Sequence, residues 1–150
     1  MSARLVFNIL AVCGAASFAG VMLNIGLTLG AYWKGLAPAA LLDWFSANSH
    51  LVGRTIPFFV VPTLIGLAAS LWIDWNDTAA RNLWLAALAC LGGIMAITFA
   101  YHLPTNSVFA SRSIALDQVE PTLNTWLWLH ALRITLGLVS AVLGAAAIAR

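Results

Sequence analysis

The sequence predicts an all-α integral membrane protein, a four-helix bundle with up-down topology. Hydrophobic residues make up 62% of the 150-residue chain and charged residues 8%, against roughly 45–50% and about 25% in soluble domains. Four apolar stretches are each long enough to cross about 30 Å of hydrocarbon. Since unbonded backbone groups are not tolerated in lipid, each stretch is expected to be a helix.

Each apolar stretch predicts one helix of a single domain that covers residues 1–150. The first has a basic start but continues without a clear cleavage site, which favours a retained helix over a signal peptide. Asp77 or Thr78 is expected to cap the third helix, and Pro104 is expected to end it. The predicted helices cover approximately residues 5–31, 55–73, 83–103 and 125–149.

The two connections at one end of the predicted bundle, about 32–54 and 104–124, are much longer than the polar turn 74–82 at the other end. Each contains apolar residues, "LLDWF" at 41–45 and "VFASRSIAL" at 108–116. Such segments predict short helices that lie at the membrane interface.

Charge gives a weak indication of orientation and of partners. Arg4, Arg81 and Arg150 lie on the side of the termini, which slightly favours cytoplasmic termini. The net charge of +2 is scattered and forms no basic patch, so nucleic acid is not an expected partner. The lipid bilayer is the expected partner, and a homo-oligomer is an open possibility.

Alternating helix directions bring the starts of the second and fourth helices beside the ends of the first and third. Polar residues that are far apart in the sequence are therefore expected at one end of the bundle, the end with the long connections. This set comprises Asn24, His50, Arg54, His102, Asn106, His130 and Arg133.

The fourth helix carries a polar stripe. At about 100° per residue, Trp126, His130 and Arg133 share one face, above Gly137 and Ser140. Small residues allow another helix to approach closely, so this face is expected to point into the bundle.

Arg133 needs a partner if it is buried, because an unpaired cation in a membrane costs about 2.5–3.5 kcal/mol on insertion scales. The predicted helices have no acidic residue in their interiors. An anionic or enolate-like ligand could fill that role, whereas an Arg that snorkels to the headgroups would need none. Partners within the chain would come from Asp43, Asp117, Glu120, Asn24 or Asn106.

A metal or haem site is a further alternative, because three histidines are expected at the same end. His50, His102 and His130 would have to converge on a metal, or two of them would have to flank a haem. No close histidine spacing supports either site, and no flavin or nicotinamide motif is present. The cofactor is therefore left unassigned.

Two motifs resemble the four-helix membrane family that includes the anthrone oxygenases of polyketide pathways. The family pattern is Pro-x-Asn after the third helix, followed some twenty residues later by Trp-x-x-x-His/Asn-x-x-Arg. "LPTNSVF" at 103–109 and "WLWLHALRITLGL" at 126–138 match it in order and spacing. The sequence departs from it at Ile134, where Thr or Ser is usual.

The resemblance implies a bacterial plasma-membrane protein that acts on a small, apolar, oxidisable molecule. Anthrone oxidation requires loss of an activated proton and gives an enolate that can react with O2. In this chain His130 could be the base, Arg133 could stabilise the enolate oxygen and Asn106 could add a hydrogen bond. Further ligand contacts are expected from His102, Trp126, Trp128, Asn24 and Arg54.

Two other functions compete with an oxygenase-like enzyme. A binding or transport protein for a small hydrophobic or anionic molecule would use Arg133 as the counter-ion. A structural subunit of a membrane complex would turn the polar stripe of the fourth helix towards a partner protein.

Overall fold

Four long helices form the protein in the computed structural model, which describes residues 2–150. They are α1 (Ala3–Lys34), α2 (Pro38–Ile73), α3 (Thr78–Ala110) and α4 (Leu116–Ile148). Each is long and apolar enough to cross a membrane, and the rest of the described chain consists of turns and helix caps. The predicted all-α membrane bundle is confirmed. The single-domain assignment and the orientation of the termini stay predictions.

Local signals explain where the helices begin. The Ser2 hydroxyl accepts a hydrogen bond from the Leu5 amide at 3.3 Å, so it caps α1. Asp77 Oδ1 accepts from the amides of Ala79 and Ala80, which confirms Asp77 as the predicted cap of α3. Pro38 is the first residue of α2, where a missing amide hydrogen costs nothing.

Packing is uneven around the bundle. α1 packs closely against the Ile56–Ile73 half of α2 and against α4, and α4 packs closely against α3. At Gly66 of α2 an added Cβ would overlap the backbone of Ala11 in α1. α2 and α3 touch much less, although they follow each other in the chain. The least tightly packed neighbours are therefore α2 and α3.

A helix is confirmed in the first long connection, whereas the helix predicted over 108–116 in the second is wrong. Residues 41–45 belong to the first half of α2, Pro38–Gly53, where Leu41, Leu42 and Phe45 are buried inside the protein. Residues 108–116 are broken by a turn in which Arg112 has a φ of 57°. Burial against neighbouring helices, rather than against lipid headgroups, accounts for these apolar residues.

Pro104 does not end the third helix, contrary to the prediction. α3 passes through a π-helical segment, Thr98–His102, and continues as an α-helix from Leu103 to Ala110. A π segment shifts the hydrogen-bond register, and Pro104 is the second residue of the α-helical part that follows it. At that position the missing proline amide is tolerated.

The helices are longer than the hydrocarbon of a bilayer is thick. With 32–36 residues each, they measure about 48–54 Å, against about 30 Å of hydrocarbon. We call the end of the bundle opposite the Asp74–Asp77 turn the cap; it comprises Pro38–Gly53, Leu103–Ala110 and the first turns of α4. Its interior is an aromatic cluster of Trp33, Trp44, Phe45, Phe109 and Trp126.

Candidate active site

One face of α4 forms the polar wall of the interior. Trp126, His130, Arg133, Gly137 and Ser140 are all buried, as the angular pattern predicted. On the opposite side Leu138 and Val142 are exposed to the surroundings of the bundle. The stripe therefore points inward.

This wall borders a cavity of about 280 Å³ where the cap meets the rest of the bundle. The volume is at the lower end of the range of about 300–1,000 Å³ that is usual for ligand sites, so it suits a small molecule. Most of the lining is apolar and comes from α2 and α3, with polar groups on α3 and α4. The polar and aromatic lining residues are Thr98, Phe99, His102, Asn106, Trp126, His130 and Arg133.

Both ring nitrogens of His130 are occupied. Nε2 lies 2.7 Å from the Met22 carbonyl oxygen of α1, and because a carbonyl can only accept, Nε2 carries a proton. Nδ1 lies 3.4 Å from Nη1 of Arg133. Since a guanidinium can only donate, Nδ1 is the acceptor. His130 therefore holds Arg133 in place and has no free lone pair.

His102 has the opposite arrangement. Its Nδ1 lies 3.4 Å from the carbonyl oxygen of Ile97, so Nδ1 carries the proton in the neutral ring. Nε2 is buried and has no hydrogen-bond partner within residues 2–150. His102 thus brings an unused lone pair to the cavity wall, a property that the sequence analysis assigned to His130.

Each histidine is oriented by a carbonyl beside a π-helical segment. Met22 lies three residues before the segment Ile25–Leu29 in α1, and Ile97 directly precedes Thr98–His102 in α3. A π segment disturbs the regular i→i−4 ladder, which makes nearby carbonyls available to side chains. Neither π-helical segment was predictable from the sequence, because the residues of both have ordinary helical propensity.

Arg133 is buried, with 5% of its surface exposed, so it does not snorkel to the headgroups. Its Nε has no hydrogen-bond partner, and no carboxylate of the described chain lies within 4 Å of it. Of the candidate acids, Asp43 pairs with Arg112, while Asp117 and Glu120 are exposed. The guanidinium is therefore a cation beside the cavity without an anion from residues 2–150.

Trp126 connects the polar groups of the wall. Its Nε1 donates to Oδ1 of Asn106 at 2.9 Å, which leaves the Asn106 amide nitrogen as a donor. The indole stacks on His130 at 4.8 Å and 18° and meets the edge of His102 at 4.5 Å and 62°. Packing thus restrains both rings against a single indole.

Three predicted ligand contacts lie outside the cavity. Trp128 is 79% exposed on the outer side of α4. Asn24 is exposed and accepts a hydrogen bond from Thr28; it lies about 200° around α1 from the buried Met22. Arg54 is exposed where the two halves of α2 meet. All three residues lie near the cavity end of the bundle, on helix faces that do not line the cavity.

The predicted histidine trio does not converge. His102 and His130 are neighbours, with ring centroids 5.8 Å apart. His50 is exposed and lines a separate groove on the cap. In the described part of the chain no three His, Cys, Asp or Glu residues are placed to hold a metal ion.

Comparison with known families gives one further finding. The family model described as anthrone oxygenase matches residues 44–143, two thirds of the chain. The match contains every polar residue that lines the cavity. No curated protein and no solved structure matches the chain. The chain therefore belongs to the anthrone oxygenase family, which confirms the resemblance.

Proposed function

We propose that this member of the anthrone oxygenase family is a membrane enzyme that oxidises a small aromatic ketone with O2. One observation carries the proposal. A histidine nitrogen without a partner and an arginine without a carboxylate belong to the same largely apolar cavity. A base and a fixed cation are the two groups that enolate formation requires.

His102 is the base in this proposal. Its unpartnered Nε2 takes a proton from the activated CH2 group of the substrate. The Ile97 carbonyl, 3.4 Å from Nδ1, holds the ring in the required tautomer and stabilises the charge that the ring gains.

Arg133 binds the oxygen of the substrate, where negative charge develops as the proton leaves. His130 acts as a positioning residue, because its Nδ1 accepts from the guanidinium while its Nε2 is anchored to Met22. Asn106 offers a second donor, its amide nitrogen, since Trp126 occupies its oxygen. Preorganised donors of this kind act strongly in a water-poor site.

The overall reaction balances without a further reductant. The enolate carbon transfers electrons to O2 and forms a C–O bond, which gives a hydroperoxide after protonation. Loss of the remaining C–H proton with cleavage of the O–O bond leaves a carbonyl group and one molecule of water. A CH2 group and O2 are thus converted to C=O and H2O.

The test uses the full chain in phosphatidylcholine vesicles with anthrone as substrate. We expect anthraquinone to form faster than in protein-free vesicles, with one O2 consumed for each anthraquinone. His102→Gln should lower kcat by about 10²–10⁴-fold, the usual contribution of a general base. Optical absorption and an oxygen electrode measure the two quantities.

His50→Gln is the matched control, because His50 is exposed and lies outside the cavity. It should leave the rate unchanged. Oxidation no faster than in protein-free vesicles would contradict the proposed function. A wild-type rate for His102→Gln would contradict the role of His102 alone.

A binding protein for a small anion is the second candidate. The observation that favours it is Arg133, which has no anionic partner within residues 2–150. This alternative predicts that an anionic aromatic such as anthraquinone-2-sulfonate binds to the wild type and not to Arg133→Ala, with no consumption of O2.

A further inference from the structure

The cavity lies behind a gap between α2 and α3. These helices are joined at one end by the short Asp74–Asp77 turn, and at the other end the Pro38–Gly53 half of α2 packs on Leu103–Ala110. The Ile56–Ile73 half of α2 packs much more sparsely on α3 than on α1, and both α2 and α3 contribute to the cavity lining. The gap is thus bounded above and below; we call it the lateral opening.

Residues at the lateral opening belong to both the cavity lining and the outer surface. Phe99 lines the cavity and is 63% exposed, and Leu103 lines it and is 49% exposed. Pro57, on the α2 side, is likewise an exposed lining residue. The cavity therefore communicates with the outside of the bundle through an apolar edge.

The lateral opening reaches from the hydrocarbon to the headgroup boundary when the Asp74–Asp77 turn is set at the opposite boundary. Counted from that turn at about 1.5 Å per residue, Val60 is about 21 Å away, Met95 about 27 Å and Phe99 about 33 Å. A bilayer has about 30 Å of hydrocarbon. Val60 and Met95 therefore lie at hydrocarbon depth, and Phe99 lies at the boundary with the headgroups.

A second, polar passage leads from the cap. A groove of about 360 Å³ between the two cap helices contains Ser49, His50 and Ser107. It shares Gly53, Leu103 and Asn106 with the cavity. A ligand could thus arrive from water through this groove or from lipid through the lateral opening.

We propose that the cavity takes its ligand from the bilayer through the lateral opening, and that the ligand is an apolar aromatic molecule dissolved in the membrane. The opening and most of the cavity lining are apolar, whereas the groove is edged by two hydroxyls and a histidine. An apolar molecule partitions into lipid, so it is most concentrated where the lateral opening lies. The identity of the ligand rests on the proposed function; the route does not.

The test uses a probe that cannot leave the membrane. A phosphatidylcholine with benzophenone at the end of one acyl chain is incorporated into vesicles that contain the full-length protein. After irradiation, mass spectrometry locates the labelled residues. We expect labelling of Met95 inside the cavity, as well as of the exposed Phe58.

Two valines provide a matched pair. Val60 lines the cavity at the lateral opening, and its neighbour Val61 is 52% exposed and does not line it. Val60→Trp should reduce labelling of Met95 about tenfold, because an indole is large enough to fill the opening. Val61→Trp and, in the groove, Ser107→Trp should leave this labelling unchanged. Phe99→Ala should increase it.

Labelling confined to outward-facing residues would overturn the proposal, as would equal loss of Met95 labelling in the two valine variants. The readout needs no turnover. If the probe labels Met95 while free anthrone is not oxidised, the route stands and the proposed reaction fails. If free anthrone is oxidised but the probe never reaches Met95, the reaction stands and the ligand comes from water.

Discussion

The two ends of the bundle differ in whether their buried polar groups have hydrogen-bond partners. At the turn end, Asp74 is 5% exposed, accepts a hydrogen bond from Trp84 Nε1 at 2.9 Å and pairs with Arg4 at 2.8 Å. Next to the cap, Arg133 and His102 are equally buried, yet each retains a nitrogen without a partner among the described residues.

The presence or absence of partners indicates whether a buried polar group stabilises the fold or serves a ligand. A buried polar group with partners holds helices together, whereas one without partners costs free energy and is retained where a ligand can complete it. From the sequence, the Asp74 end was identified only as the polar turn 74–82. In the structure Asp74 is buried, because Trp84 of α3 and Arg4 of α1 bind its carboxylate.

In the comparison of the two ends, the largest expected effect on kcat comes from replacing Arg133, the arginine beside the cavity, with alanine; Arg4 at the turn end provides the comparison. Arg133→Ala should lower kcat for anthrone oxidation by about 10²–10³-fold, as loss of an oxyanion donor does. Its melting temperature should not fall, because the change removes a buried charge that lacks a carboxylate partner. Turnover assays and thermal melting in detergent measure the two effects.

Arg4→Ala is the control, and it should show the reverse pattern: a lower melting temperature and an unchanged kcat. If Arg133→Ala were the less stable variant, Arg133 would be a structural residue. The contrast between the ends would then be wrong.

A smaller effect is expected from Asp74→Ala. This change leaves the fully buried Trp84 Nε1 without an acceptor, which should cost about 1–3 kcal/mol of unfolding free energy. The half-exposed Arg4 adds at most about 1 kcal/mol. Chemical denaturation in detergent measures the loss, and the kcat of the folded fraction should not change.

Asp117→Ala serves as the comparison, because Asp117 is exposed in the first turn of α4. It should cost no more than about 1 kcal/mol through the helix dipole. Equal losses in the two variants would mean that the turn end is not stabilised by Asp74.

The smallest effect concerns a glycine beside the site. A Cβ on Gly26 would lie 3.2 Å from Cδ2 of His130, so Gly26→Ala should displace the ring by a few tenths of an ångström. Since a misplacement of 1 Å can cost about 10²-fold in rate, we expect a three- to fivefold lower kcat. Steady-state kinetics measure this change.

Gly20→Ala is the control for Gly26→Ala, because a Cβ on Gly20 would meet no atom within 4 Å. Both variants share the helix-propensity gain of roughly 0.5–1 kcal/mol. An unchanged kcat for Gly26→Ala would show that the position of His130 does not limit the reaction.

Much of the architecture was predictable from the sequence. The four apolar stretches predicted four helices, and the angular pattern predicted that Trp126, His130 and Arg133 share an inward face. Both predictions rest on the length and periodicity of a single segment. The helix limits near the cap were less predictable, because Leu41 and Phe45 are buried by other helices rather than by lipid.

The sequence by itself determined that the chain crosses a membrane and that a histidine and an arginine face its interior, because apolar length and helical angle are local properties. The tertiary structure decided which histidine nitrogen is free, since the carbonyls of Met22 and Ile97 occupy the others. It also decided that Asn24 and Trp128 face outward. Hydrogen-bond partners and the facing of a helix depend on neighbours distant in the chain, which no single segment specifies.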